Sequence, residues 1–562
     1  MQKKHLHKNT QSRANRPTFF VVLLGWFIGL LIIIGITIFL SFYSYEEVTH
    51  WIAQMGGKTD RLDVLRNQYL TPSLFLGLRI LAWVLVLGVL IAYRQITRLE
   101  EQLIQILGLC TQLVLVSCRN LQHLSKRQKF ILAIIFLLIA LSRVYYHWLF
   151  PLQYDEAFTY IHLVSKGVLV SATYYPGPNN HVFFSEIASI LDWPLPSILS
   201  LRLPSILSSL LLWFLLWDWF ATKLRFEWAL LLASLILFTP TLSVYSVMGR
   251  GYGLQLICVV VGFRAILSKE FLLLYRFAFV LSSMVGFYLV PTYLYVFVPL
   301  VVFKSSQLKR TQIKRWLLDL GIITLISSML YAPIILINGL DAITNNGWVQ
   351  SLGFEQWLKQ FLPYLTELTQ AIWGDEAGLG IGISFGVLTI VYTFYHPRKY
   401  FVLITLSLPI LMILGQSILP PARVFQYLVL LFGWFLVKVL SAKPLETNTF
   451  TTITLSVFLL FYGVTTTRVF RQISQAPHPH IQITKTITSQ KTPQKIWVNH
   501  DTYAVFLKYY QVESEVNHQV DVQRKEGVKY DWMILNKKIS LPIGYQLYSK
   551  NKNVVIYRHS KQ

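Results

Sequence analysis

Apolar residues run along this chain in blocks, and crossing about 30 Å of hydrocarbon takes roughly 20 of them. Blocks of about that length fall at 18–42, 72–93, 130–150, 197–217, 228–246, 251–267, 316–337, 379–395, 400–419, 424–440 and 450–466. Two shorter ones, 272–289 and 292–303, are divided by Pro291. The pattern predicts about 13 spans. Backbone polar groups inside lipid need internal partners, so the expected fold is an all-α polytopic membrane protein. The stretch 103–117 is apolar but short, which suits an interfacial or core helix. In 353–372, Phe354, Trp357, Leu358, Phe361, Leu365, Leu368 and Ile372 recur at helical spacing, predicting a helix on the membrane surface or over a cavity. Beyond 466 the membrane character is lost. Residues 467–562 read as a small soluble α/β domain: strand KIWVN, a helix at 501–510, strand YDWMILN and a closing hairpin around NKN. The expected organisation is an N-terminal extension with two spans (1–129), a transmembrane core (130–466) with outer loops 151–196 and 338–378, and this C-terminal domain.

Composition agrees, because 54% hydrophobic and only 14% charged residues exclude a set of soluble domains. The net charge of +24 would suggest nucleic acid in a soluble protein, but no recognition motif accompanies it. Its placement in short loops and the tail points instead to topology and membrane lipids. Residues 1–17 are basic with no acid, and 94–129, 304–315 and 396–399 are basic loops, whereas 338–378 is mainly acidic. The positive-inside rule therefore predicts a multi-pass protein of the plasma (inner) membrane, with a cytoplasmic N-terminus and an extracytoplasmic C-terminal domain. The run 18–42 is too long for a cleaved signal peptide. Cys110, Cys118 and Cys258 show neither disulfide nor metal spacing.

The polar stretch 154–187, YDEAFTYIHLVSKGVLVSATYYPGPNNHVFFSEI, is the candidate site. Asp155 is placed to cap a helix at 156–166, with Glu156 in its positive first turn. The same carboxylates are suited to taking a proton from an acceptor hydroxyl or to holding a cation. His181 is expected in the first turn of a second helix capped by Asn180, with Glu186 beyond it. Tyr174 and Tyr175 offer rings for stacking on a sugar. Arg250 and Arg423 fall at outer ends of spans, on the membrane face of Asp155. An arginine near hydrocarbon is costly unless paired, by about 3 kcal/mol at a helix centre, and bidentate guanidinium suits phosphate. Gly249, Gly251 and Gly253 would permit close backbone approach.

Tyr-Asp-Glu-Ala at the start of the first large outer loop, followed by Pro-Asn-Asn-His, resembles the GT-C integral-membrane glycosyltransferases. The likeness covers about 130–466. It is nearest to bacterial relatives of the protein O-mannosyltransferase family (glycosyltransferase family 39) and to the lipid A aminoarabinose and galacturonic acid transferases. The resemblance implies a GT-C fold and an outer-loop acid as base or acceptor-binding group, which maps to Asp155 with Glu156 beside it. It places His181 at the family's His-Pro-Pro turn, although Val182 and Phe183 replace the prolines. It places Arg250 and Tyr252 at an Arg-x-Tyr element, and Arg423 at a phosphate-holding Arg-Tyr pair whose tyrosine is Val424 here. The implied reaction moves one sugar from a polyprenyl-phosphate donor to a glycan, lipid or protein acceptor, with inversion. No cofactor is demanded; a divalent cation would find hard oxygen ligands in Asp155, Glu156 and Glu186. A lipid-linked polysaccharide ligase or polymerase is the nearest alternative, and a secondary transporter a further one.

Overall fold

The computed structural model describes residues 34–560 except 36, 56–61, 92–95, 269–271, 345–350, 376–377, 396–399, 442–448, 476–478, 515, 526, 537–543 and 551–553. The basic N-terminus, most of the first expected span, the basic loop 396–399 and the NKN turn lie outside the described residues. Among the described residues the protein is mostly helical, with one small sheet near the C-terminus.

Among the described residues, five helices are long and apolar enough to cross a membrane: Lys126–Leu149, Ser197–Ala221, Arg310–Asn338, Gly378–Tyr395 and the segment Ala422–Leu440. Seven more apolar helices are shorter, including the pair around Pro291 that the sequence already gives as short; of the roughly 13 expected spans, five reach full membrane length among the described residues. Proline accounts for part of the difference, since it cannot donate within a helix and is favoured at a helix start. Block 228–246 divides at Pro240 into Phe226–Leu237 and Pro240–Tyr245. Pro291 opens a single 3-10 turn, Pro291–Tyr293, between Leu273–Leu289 and Leu294–Ser305. The last expected block runs on as Thr449–Gln475, so the boundary expected at 466/467 falls inside a helix. The 103–117 stretch belongs to Ile96–Ser117, which packs on the Ser197–Ala221 and Leu273–Leu289 helices.

Burial orders these helices. The apolar windows of Ser197–Ala221 and Ala422–Leu440 are each 61% buried, against 17–22% for the other three long helices. The first two therefore form the centre, where Trp219 and Trp434 stack with ring centroids 4.5 Å apart. The others present apolar side chains outward, as helices facing lipid do. The expected loop helix is Phe354–Trp373, with Trp357, Leu368 and Ile372 buried, while Phe354 and Leu358 point outward.

The C-terminal sheet contains β1 (Lys495–Val498), β2 (Gln519–Asp521), β3 (Trp532–Leu535), β4 (Tyr545–Lys550) and β5 (Val555–His559), in the order β2-β1-β3-β5-β4. β1 is parallel to β2 and β3, and the β4–β5 hairpin adds antiparallel at β3. Strand β2 and the Pro479–Thr488 helix had no expectation from sequence. The Asp501–Ser514 helix packs back on the Tyr154–His162 helix of the outer loop. There the hydroxyls of Tyr509 and Ser197 are 2.7 Å apart, and the Tyr509 ring meets Tyr160 edge-on at 5.2 Å.

Candidate active site

The outer loop forms the Tyr154–His162 and Val182–Asp192 helices, joined by a one-turn helix and Val168–Thr173. The cap of the first helix is Gln153, not Asp155 as expected. Glu156 completes that cap by accepting the Gln153 N–H at 2.9 Å. Glu156 is fully buried and saturated. Arg202 Nε donates to its Oε1 and Arg202 Nη2 to its Oε2, each at 2.8 Å, and the Gly249 N–H donates to Oε1 at 2.7 Å. The remaining Arg202 donors reach the carbonyls of His147, Phe150 and Pro151. This bidentate pair ties the loop to the Lys126–Leu149 and Ser197–Ala221 helices, and no Glu156 lone pair is left for an acceptor.

Asp155, one residue earlier, faces the other way. Its side chain is 31% exposed and its Oδ2 lies 3.7 Å from Nη2 of Arg250, which is 2% exposed. No described residue donates a hydrogen bond to the Asp155 carboxylate. Asn179 fixes this geometry: its Nδ2 donates to the Asp155 carbonyl and to Thr159 Oγ1, both at 3.2 Å, while its side-chain and backbone oxygens accept from Arg250 Nη1. Arg250 sits in the irregular turn between Pro240–Tyr245 and Tyr252–Ile266. Arg423 comes from the 3-10 turn Ala422–Phe425 at the start of another span. Arg423, Tyr245, Tyr252 and Asp155 lie within electrostatic reach of one another. The loop before Arg423 is tethered from the Phe354–Trp373 helix by Trp357 Nε1 donating to the Ile418 carbonyl (3.1 Å) and the Tyr364 hydroxyl to that of Pro420 (2.7 Å).

His181 is the cap residue of its helix rather than a first-turn residue after an Asn180 cap. Its Nδ1 accepts the Gly251 N–H at 3.1 Å, which leaves the proton on Nε2, and Nε2 is buried with no partner among the described residues. Burial, reinforced by Arg250 and Arg423, holds its pKa well below the ordinary histidine value. The ring meets Tyr252 edge-on at 4.6 Å. A Cβ on Gly251 would stand 2.9 Å from His181 Nδ1, and one on Gly249 would stand 3.2 Å from Glu156 Oε1. These glycines make room for the site's own side chains.

The other sequence candidates divide. Asn180 is buried and saturated: it donates to the carbonyls of Ser171 and Tyr174 and accepts from Ser185. Tyr175 is packed against Val182, Tyr331 and Ile334, so its ring is not a free stacking platform, although it lies within electrostatic reach of Arg250 and Tyr252. Glu186 accepts from the Tyr288 hydroxyl at 2.6 Å, and burial pushes its pKa up. Among the described residues no three of His, Cys, Asp and Glu converge as metal ligands, so Asp155, Glu156 and Glu186 do not form the cation site considered from sequence.

A cavity of about 490 Å³ adjoins this cluster, lined by Tyr245, Glu367, Asp375, Arg423, Arg468 and Gln472. A second, mainly apolar groove of about 830 Å³ runs between the Lys126–Leu149, Phe226–Leu237 and Thr449–Gln475 helices. Arg468 borders both, and Arg471 lines the groove beside it. Sequence reasoning missed Asn179, Arg202, Tyr245 and Arg468. The two arginines had a signal, a cation inside or at the end of an apolar block; Tyr245 had none. No family model and no curated protein matches this chain.

Proposed function

We propose that this protein is a membrane-embedded glycosyltransferase of the GT-C type, moving one sugar from a polyprenyl-phosphate donor to an acceptor hydroxyl at the membrane face that bears Asp155. The observation that carries this reading is the unsaturated, partly exposed Asp155 carboxylate beside Arg250 and within reach of Arg423, next to a cavity that meets an apolar groove at Arg468. An apolar groove ending in guanidinium groups suits a long hydrocarbon tail with a phosphate at its head.

In the proposed step the acceptor oxygen attacks the anomeric carbon as the bond from that carbon to the phosphate oxygen breaks. The acceptor proton passes to Asp155, and the electron pair leaves with the polyprenyl phosphate. Arg423, half-buried and lining the cavity, stabilises the charge that develops on that oxygen. Arg250 donates through Nη1 to Asn179 and faces Asp155 with Nη2 at 3.7 Å, so its part is to aim the base. Glu156 and Arg202 hold the frame. The orientation with this face outside the plasma membrane is part of the proposal and is supported by the basic 304–315 loop at the other end of the bundle.

The test is reconstituted protein given polyprenyl-phosphate sugars and hydroxyl acceptors, with released polyprenyl phosphate and glycosylated product followed by mass spectrometry. Arg423→Gln should raise the donor concentration needed for half-maximal rate. Absence of turnover with every such donor, alongside intact transport of a solute, would replace the reading.

A further inference from the structure

Among the described residues three arginines are buried, and they are not alike. Arg202 pairs with Glu156 and Arg250 faces Asp155, whereas Arg143 meets no acid among the described residues. Arg143 belongs to Lys126–Leu149, is 0% exposed, and lies about 9 Å along the axis from the end of that helix. Its Nη2 donates to the Leu237 carbonyl at 3.1 Å, while Nε and Nη1 are buried with no partner among the described residues. The guanidinium carbon is 4.9 Å from the ring centre of Phe238 and 5.8 Å from that of Tyr146.

A buried guanidinium without a counter-ion is among the costliest groups a fold can hold, and two rings and one carbonyl offset only part of that cost. Its surroundings show where an anion could reach it. Ile135 and Ile139 line the apolar groove, and Arg143 follows Ile139 by four residues on the same helix face. Phe238 and Thr467 line that groove as well. Phe238 covers the guanidinium, and Thr467 Oγ1 is 3.3 Å from the Tyr146 hydroxyl. On the other side, Pro240 and Thr241, just beyond Leu237, line the cavity that holds Arg423. Arg143 therefore stands behind Phe238, where groove and cavity meet beside Arg468.

We propose that Arg143 is a binding residue for the phosphate of the lipid donor, with Phe238 as a shutter over it. As the lipid enters the groove, the Phe238 ring turns aside and the uncommitted N–H groups of Arg143 bind the phosphate oxygens. The phosphate then serves as the counter-ion that no described side chain supplies. A neutral polyprenol brings the chain without the charge, and inorganic phosphate brings the charge without the chain. The inference rests on the transferase reading for the identity of the lipid, and its test reads binding and not catalysis.

The experiment titrates purified full-length protein with undecaprenyl phosphate, undecaprenol, phosphatidylglycerol and inorganic phosphate, reads binding by native mass spectrometry, and records the unfolding midpoint without added lipid. Wild type should bind undecaprenyl phosphate about 10–100-fold more tightly than undecaprenol, the scale of a hydrogen bond to a charged group. Arg143→Met keeps an apolar stem and should lose that preference while unfolding at or above the wild-type midpoint, because it removes an unpaired buried charge. Arg143→Gln can still donate to the Leu237 carbonyl and should lose the preference too, which carries the test if the methionine variant does not fold. Phe238→Ala should bind undecaprenyl phosphate no more weakly than wild type. A lower midpoint with the phosphate preference intact would make Arg143 a structural prop and overturn the proposal. So would phosphatidylglycerol or inorganic phosphate bound as tightly as undecaprenyl phosphate, or weaker binding in Phe238→Ala. Wild-type binding that survives Arg143→Gln ends this inference and leaves the transferase reading standing. Binding that Arg143 controls, with no sugar transfer from any donor, ends the transferase reading and leaves this site.

Discussion

Both ends of the bundle hold an aspartate opposite an arginine, and the two pairs differ in closeness. Asp218 and Arg264 are 2.8 Å apart, with the carboxylate fully buried and also bonded to Asn120. Asp155 and Arg250 are 3.7 Å apart, with the carboxylate 31% exposed and no hydrogen-bond donor on it among the described residues. A third pair, Glu156 with Arg202, repeats the tight arrangement one residue from the loose one. Saturated buried pairs hold elements together, because removing either partner strands a charge. A carboxylate that faces its arginine without being consumed by it keeps lone pairs for a proton. Adjacent residues of one chemical class thus take opposite parts, and the partner set decides which.

The comparison fails if the loose pair is structural. Asp155→Asn should leave the unfolding transition in place and reduce the proposed sugar transfer by about 10²–10⁴-fold, the usual scale for a lost general base; a lower midpoint with proportionate activity would reverse the assignment. Glu156→Ala and Asp218→Ala should each destabilise the fold by about 3–5 kcal/mol in thermal unfolding of the solubilised protein, and a midpoint near wild type would make those pairs as dispensable as surface ones. Gly251→Ala should cost about 1–3 kcal/mol, because the new methyl meets the His181 ring, and the variant should also disturb Tyr252.

The fourth test uses pH. His181 is held neutral in the fold, so the unfolded chain binds its proton first as pH drops. Its contribution to stability is complete above about pH 6.5 and is lost as pH falls below that, with a slope of up to about 1.4 kcal/mol per pH unit. Glu186, whose pKa burial raises, acts in the opposite sense and contributes stability that is lost as pH rises through its folded value. The difference between wild type and His181→Asn isolates the histidine, and parallel pH profiles would refute its burial as the neutral form. The smallest effect belongs to the exposed Glu355–Lys359 pair, where Lys359→Ala should change stability by no more than about 0.5 kcal/mol.

The apolar blocks were enough to predict a helical bundle, and the polar stretch 154–187 stood out because nothing about crossing a membrane requires it. The amphipathic periodicity of 353–372 matched a real helix, Phe354–Trp373, almost to the residue. Helix ends were harder. Gln153 and His181 stand at the cap positions where Asp155 and Asn180 were expected, and the His181 ring accepts from Gly251 of another element and not from its own helix, so residue preference alone does not locate a helix start. The break at Pro291 was legible, but the span expected at 228–246 was misjudged, since Pro240 cuts an apolar run whose hydropathy continues across it.

What the sequence determined by itself is therefore the part governed by local chemistry: membrane-length apolar helices, a C-terminal sheet from KIWVN and YDWMILN, and the presence of costly charges at Asp155, Glu156, Arg250 and Arg423. What only the tertiary structure decided is how those charges are shared. Arg202 is 46 residues from Glu156 and takes both of its oxygens, while Arg250, 71 residues from Asn179, is turned by it toward Asp155 without closing on it. Pairing of this kind depends on distances between helices that are far apart in the chain. No local pattern of residue types encodes those distances, and they separate a saturated, buried carboxylate from a partly exposed one.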